Sequence, residues 1–238
     1  MLHPRDVAGA HDGGADRLFV VAHLAHADDG REDGGLSVEP ATLSGVCKET
    51  DLPVRAMLRL SDSFTTTGAE LARLVALAQD YLAVGAEGVS FGFLDADLNI
   101  DVEVCTRLVE QLGRVPWTFH HAVDASLETS HAWRQLQTLP ALDAVLSAGS
   151  VRGLEAGHEE LTERCAADPG VARLLMAGGG LRGEHVPWLV RAGVRQFQVA
   201  TSVRPGGSWR SHVEAGHVRA WRMLLDDASD LAAGRPTG

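Results

Sequence analysis

Three side chains near the middle of the chain offer the most chemistry. His120 and His121 are adjacent at the end of the stretch VPWTFHHAVD (Val115–Asp124), and Asp124 lies three residues on. A neutral imidazole serves as a general base or a metal ligand. The stretch starts as an apolar run and turns polar, which is how a barrel strand delivers side chains to an active face. His120, Asp124 and, on a separate loop, Asp95 are the candidate catalytic residues, with His121 a candidate substrate contact. Consecutive strand residues face opposite ways, so both histidines enter one site only if the strand ends between them. The alternative for His120 is a hydrogen-bonded packing role inside the barrel.

Other residues could complete such a site. Arg59 follows the apolar run PVRAML (Pro53–Leu58), and its fork suits a carboxylate or a phosphate. An ion pair with Asp95 or Asp124 is the structural alternative. Asp95, Asp97 and Asp101 make an acidic loop that could hold a hard cation, although the glycine and terminal Glu of an EF-hand are missing. As a plain turn, the same loop would use Asp101 to cap the next helix. Gly178, Gly179 and Gly180 follow an apolar run at a place where α/β barrels bind phosphate through backbone N–H groups, and Ser147 lies one unit earlier. Those glycines could instead serve close strand–helix packing. His23 and His26, with Asp28 and Asp29 nearby, have the spacing of a transition-metal pair, but a polar loop is the favoured reading.

The elements that must position these residues repeat along the chain. Apolar, strand-like runs start near residues 16, 53, 88, 115, 143, 172 and 195, at intervals of 37, 35, 27, 28, 29 and 23 residues. The first, DRLFVVA (Asp16–Ala22), is nearly continuous rather than alternating, as strands buried on both faces are. Helical segments fall between the runs. The clearest is Glu70–Leu82, whose apolar stripe is Leu71, Leu74, Val75, Ala78, Tyr81 and Leu82. ARLLMAGGG (Ala172–Gly180) and RQFQVA (Arg195–Ala200) read as the last two strands, and Glu214–Leu231 as a final helix. A βα unit of roughly 30 residues predicts a TIM (β/α)8-type barrel. Seven strands are counted, not eight, and a helix-like segment (Pro4–His11) precedes the first. The barrel is therefore expected to be incomplete there, with the C-terminal segment or a neighbouring subunit filling the gap.

Composition sets outer bounds. The chain has 238 residues, 45% of them apolar, which suits one large domain with a real core. With 32 acidic and 21 basic residues the net charge is −11, which argues against nucleic acid and anionic membrane as partners. Cys47, Cys105 and Cys165 are scattered among helix-like residues and form neither a disulfide framework nor a structural zinc site. The sequence has no secretory h-region and no membrane-spanning stretch, so a cytoplasmic location is expected.

The segments GGADRLFV, DGGL, GAEGVSFGFLDADLNID, TFHHAVD and MAGGG occur here in the order and spacing of the CutC family. The chain resembles that family over about residues 4–202. The resemblance implies a TIM barrel, a copper-homeostasis role and copper as a possible ligand, with no ligand set defined. Several positions depart from the family pattern. Phe19, Val20 and Val21 stand where the family has Glu-Leu-Cys, so the strand thiol is gone. LRLSDSF (Leu58–Phe64) keeps only Arg59 and Phe64 of the family's segment. His121 replaces an Arg, and Gln196 and Gln198 replace a Glu and a His. Besides copper handling, two functions are therefore expected alternatives. One is an enzyme acting on a small anionic molecule, phosphorylated or carboxylated, at the barrel mouth. The other is a degenerate barrel serving as a binding or assembly module, with a homo-oligomer expected.

Overall fold

Each apolar run of the sequence contributes a strand to one sheet. The computed structural model describes residues 3–22, 35–113 and 115–235. Its strands are β1 (Leu18–Val20), β2 (Val54–Met57), β3 (Gly88–Phe91), β4 (Trp117–Phe119), β5 (Leu142–Ser147), β6 (Leu175–Ala177) and β7 (Gln196–Phe197). All neighbours are parallel, in the order β1 to β7. Among the described residues, β1 and β7 are the two edges of the sheet, so the barrel is open between them.

Among the described residues, nine α-helices pack around the strands. They are α1 (Asp6–Gly13), α2 (Pro40–Lys48), α3 (Gly68–Ala83), α4 (Val102–Gln111), α5 (Thr129–Leu136), α6 (Leu154–Ala167), α7 (Pro169–Leu174), α8 (Val186–Arg191) and α9 (Ala215–Ala232). Local chemistry sets several of their ends. Thr67 and Glu70 form a reciprocal capping box at the start of α3. Asp101 accepts from the Val104 N–H (3.0 Å) at the start of α4.

The strands' two faces have different destinations. Leu18, Val20, Val54, Ala56, Val89, Phe91, Trp117, Phe119, Val145 and Leu175 join the main core with the helices. Phe91 stacks on Trp117 at 4.1 Å within it. Phe19, Met57, Leu146 and Met176 instead line a cavity inside the curl of the sheet.

Two strand expectations change. Ala172–Leu174 belong to α7 rather than to a strand: Asp168 caps that helix by accepting from the Gly170 N–H (2.8 Å), and Pro169 sits in its first turn. A continuous apolar run cannot show where helix passes into strand. The last strand is Gln196–Phe197 and not the whole of Arg195–Ala200. The His23, His26, Asp28, Asp29 loop lies outside the described residues.

The C-terminal segment, one of the two expected fillers of the gap, covers the open side from outside and adds no strand to the sheet. Helix α9 packs on α1 and α8. A Cβ on Gly13 would meet the Val218 side chain at 2.3 Å, and one on Gly9 would meet the Val213 carbonyl oxygen at 2.1 Å, so small residues allow this approach. Buried Asp6 of α1 accepts from Arg204 at 3.1 and 2.7 Å and from the Val213 N–H at 3.1 Å. The position of a closing strand is left as a slot walled by β1, β7 and α9. No helix among the described residues is long and apolar enough to cross a membrane.

Candidate functional site

That slot is part of a cavity of about 410 Å3, large enough for a small organic ligand. One wall is β1 with Phe19 and Val21, another is the segment Gln196–Ala200, and Trp221 and Leu225 of α9 form the outer side. At one end, beyond the C-terminal end of β4, His121 lines the cavity. At the other lie Asp16, Arg17 and Arg195.

Strand β4 ends at Phe119, before both histidines. His120 caps a short 3-10 turn over His121–Ala125, its Nδ1 accepting from the Ala122 N–H at 3.1 Å. That bond places the ring proton on Nε2. His120 is only 3% exposed and packs between Phe64 (5.6 Å between centroids) and Phe119 (6.1 Å). It does not line the cavity. Burial, aided by the nearby charges of Arg59 and His121, pushes its pKa down to about 3 from an ordinary 6.5. The catalytic expectation for His120 called for contact with a cavity; its ring is instead buried between two aromatic rings and does not line this one.

His121 has the surroundings expected of a working group. Its side chain is 17% exposed, and its Nδ1 lies 3.2 Å from Asp124 Oδ2. Asp124 is 5% exposed and accepts from Ser147 Oγ (2.5 Å), the Ala148 N–H (2.8 Å) and the Gly149 N–H (3.1 Å). A carboxylate accepting from every other neighbour must also accept from the imidazole, so His121 Nδ1 carries a proton and Nε2 is the basic nitrogen. The clamp joins the turn after β4 to the end of β5. Ser147, expected to touch substrate, is 1% exposed and instead holds Asp124.

The glycine run fits this arrangement. Gly179 has φ +76, and a Cβ there would stand 3.0 Å from His121 Cε1 and 3.0 Å from Ala148 Cβ. A Cβ on Gly178 would meet Leu146 at 2.7 Å, and the Gly178 N–H is bonded to the Ser147 carbonyl (3.2 Å). Gly178 and Gly179 therefore permit close approach, including that of the His121 ring, while a Cβ on Gly180 would meet nothing within 4 Å.

Arg59 and Asp95 stand outside this cluster. The Arg59 guanidinium lies over the Phe64 ring at 4.8 Å and donates to the Asp62 carbonyl at 2.5 Å. The Asp95 carboxylate closes its own loop by accepting from the N–H groups of Asp97 and Asn99, both at 2.9 Å, which holds its pKa below the usual range. Asp97 is exposed in the same turn.

Sequence reasoning passed over the network at the floor of the sheet. Arg55, fully buried, donates to Thr118 Oγ1 (2.6 Å), to both oxygens of Asp143 (2.6 and 2.5 Å) and to Glu87 (3.0 Å). Its signal was present in the sequence: a lone cation at an alternate position of the apolar run PVRAML must face inward and find partners there. A separate cluster of Glu155, Glu184 and His185 brings its ligand atoms within 4.8 Å of one another, but Arg182 already bridges the two carboxylates.

The pH behaviour of His120 provides a test. Its folded pKa of about 3 lies below the unfolded value, so between these two values the unfolded chain holds the extra proton. This contribution to stability is complete above about pH 6.5 and is lost as pH falls toward 3, at up to about 1.4 kcal/mol per pH unit. The His120 ring resonances are expected to stay fixed from about pH 8 to about pH 5 in an NMR titration; a midpoint near 6 would contradict the burial described.

A model of the CutC family matches residues 3–203. The chain is 29% identical over 184 residues to a CutC family protein of Klebsiella pneumoniae (strain 342), covering 77% of this chain and 70% of that one. It is 28% identical over 189 residues to a CutC family protein of Sodalis glossinidius, covering 79% and 71%. CutC of Streptococcus agalactiae, named for copper homeostasis, superposes with a TM-score of 0.63 at 21% identity, over 77% of this chain and 87% of that chain. Thiamine phosphate pyrophosphorylase from Pyrococcus furiosus does so at 0.58 and 17% identity, over 94% and 90%. The two structural likenesses show the shared α/β barrel architecture alone. With the family model spanning both the strands and the histidine turn, this chain belongs to the CutC family.

Proposed function

We propose that this CutC-family chain binds a small organic molecule in the cavity on the open side of its sheet, and that His121 exchanges a proton with it. The observation that carries this reading is the Asp124–His121 pair. His121 is one of the cavity-lining residues, and its Nδ1 is held by a buried, fully engaged carboxylate. An acid–base residue needs a fixed orientation and a fixed tautomer, and the pair supplies both. The apolar walls (Phe19, Met57, Leu146, Met176) would exclude water from a bound molecule and strengthen polar contacts at the two ends.

Copper, which the family name implies, does not fit the donors well. Cu(I) prefers thiolate ligands. Cys47, Cys105 and Cys165 are on α2, α4 and α6, away from the cavity lining. Burial raises all three thiols, those of Cys105 and Cys165 to about 12, which keeps them protonated. The soft donors at the cavity are the thioethers of Met57 and Met176, on well-separated strands β2 and β6. No step is therefore assigned to copper.

The experiment is an NMR titration of the full chain with octanoate, octanol, pyruvate and inorganic phosphate, observing the histidine ring carbons. His121, assigned with the His121→Asn variant, is expected to shift with at least one probe while His120 does not. No shift of His121 with any of the four would end this reading.

A further inference from the structure

We infer that Arg17 is a carboxylate anchor at the floor of this cavity, so that the molecule it takes is a monocarboxylate whose apolar body carries its proton-exchanging group to the His121 end. The inference rests on the cavity reading above and names its ligand class.

Arg17 immediately precedes β1 and lines the cavity, as do Phe19 and Val21 at the next alternate positions of the same strand. Its guanidinium is short of partners. Among the described residues, the one carboxylate within 4 Å of it is that of Asp143, at 3.8 Å from Nη2, beyond hydrogen-bond reach. Both oxygens of Asp143 are already taken by Arg55, at 2.6 and 2.5 Å. Arg17 Nε is buried and has no acceptor. A guanidinium has five donors in a fixed plane, and one held without acceptors beside a cavity is built to receive an anion through its open Nη end.

The other cations of this cavity are differently placed. Arg195 donates to the Val190 and Val194 carbonyls, both at 2.9 Å. Arg204 is paired with buried Asp6, and Arg222 with Asp16 and the Gly14 carbonyl. Among the described residues, Arg17 alone of these four makes no side-chain hydrogen bond. A single guanidinium matches one carboxylate; a phosphate dianion would call for more cationic donors than the floor leaves open.

The wall above Arg17 sets the rest of the ligand. Phe19, Met57 and Met176 are apolar. Strand rise puts Arg17 and Val21 about 13 Å apart along the chain, so there is room for an alkyl or aryl body and not merely an acetate-sized ion. Each added CH2 group buried there is expected to tighten binding about fourfold.

The test uses the full chain and the fluorescence of Trp209 and Trp221, both in the cavity lining. Butanoate, octanoate and octanol are titrated into the wild type, Arg17→Met and Arg17→Gln, each checked for an unchanged circular dichroism spectrum and melting temperature. Octanoate is expected to bind the wild type at least about tenfold more tightly than octanol or butanoate. Both variants are expected to lose about tenfold or more for octanoate and to leave octanol within twofold. If octanoate and octanol bind but either folded variant keeps octanoate within twofold of wild type, the anchor is overturned and the cavity reading stands. If neither octanoate nor octanol binds the wild type, the anchor is overturned whatever the variants do; the His121 titration with pyruvate and phosphate then decides the cavity reading separately.

Discussion

Replacing Asp124 by alanine is expected to lower the melting temperature by about 6–12 °C, corresponding to about 3 kcal/mol for a chain of this size. The size of the effect follows from what the carboxylate holds. Ser147 Oγ, the N–H groups of Ala148 and Gly149, and His121 Nδ1 all converge on two oxygens that are 5% exposed. Alanine would strand these donors in a place water reaches poorly, and each unmatched buried donor costs about 1–3 kcal/mol before relaxation. Asp124→Asn keeps one acceptor oxygen but turns an NH2 group toward N–H donors, so an intermediate loss is expected. Thermal unfolding followed by circular dichroism separates these cases; an alanine variant within about 1 °C of wild type would mean that the clamp is not formed. The same substitution frees the His121 ring, so ligand response at His121 should weaken in both variants.

Arg55→Met is expected to cost about 3 kcal/mol, read as a lower urea midpoint with an unchanged slope. Arg55 is completely buried and is the common partner of Glu87, Asp143 and Thr118. Removing it leaves two carboxylates facing each other at the sheet floor. Both are about a third exposed, at 34% and 36%, so water recovers part of the loss and the lower end of the range for broken buried pairs applies. Combining Arg55→Met with Glu87→Gln and Asp143→Asn should restore most of the stability, because the two carboxylates that Arg55 held are then neutral. If the triple variant is as unstable as the single one, packing of the Arg55 stem, and not its charge, is what matters.

Much of the sheet could be read from the chain because parallel strands buried on both faces leave continuous apolar runs. DRLFVVA, PVRAML and GVSFGFL each became a strand, and the seven-strand count with an open first position held. Within such a run the two faces are not distinguished by apolarity, and this hid the cations. Arg17, just before β1, and Arg55, on neighbouring β2, face inward, and the partners of Arg55, which are Glu87, Thr118 and Asp143, come from far along the sequence. The two histidines differ for a local reason. Alternation along a strand separates adjacent side chains, but β4 ends at Phe119 and a 3-10 turn sets both rings. The turn points His121 at the cavity and tucks His120 under Phe64. Asp95 satisfied its own loop, and Asp101 caps the next helix as the plain-turn alternative had it. The docking of α9 on α1 depends on Gly9 and Gly13 meeting Val213 and Val218, about two hundred residues away, and no short-range pattern encodes that contact.

The most direct measurement is the ring-nitrogen NMR spectrum of His121 in the full chain, recorded with and without octanoate. The account predicts a proton on Nδ1, held by Asp124, and a basic Nε2 whose resonance moves when octanoate enters the cavity. A free His121 with its proton on Nε2, or an Nε2 resonance indifferent to octanoate while other probes of the cavity respond, would contradict it.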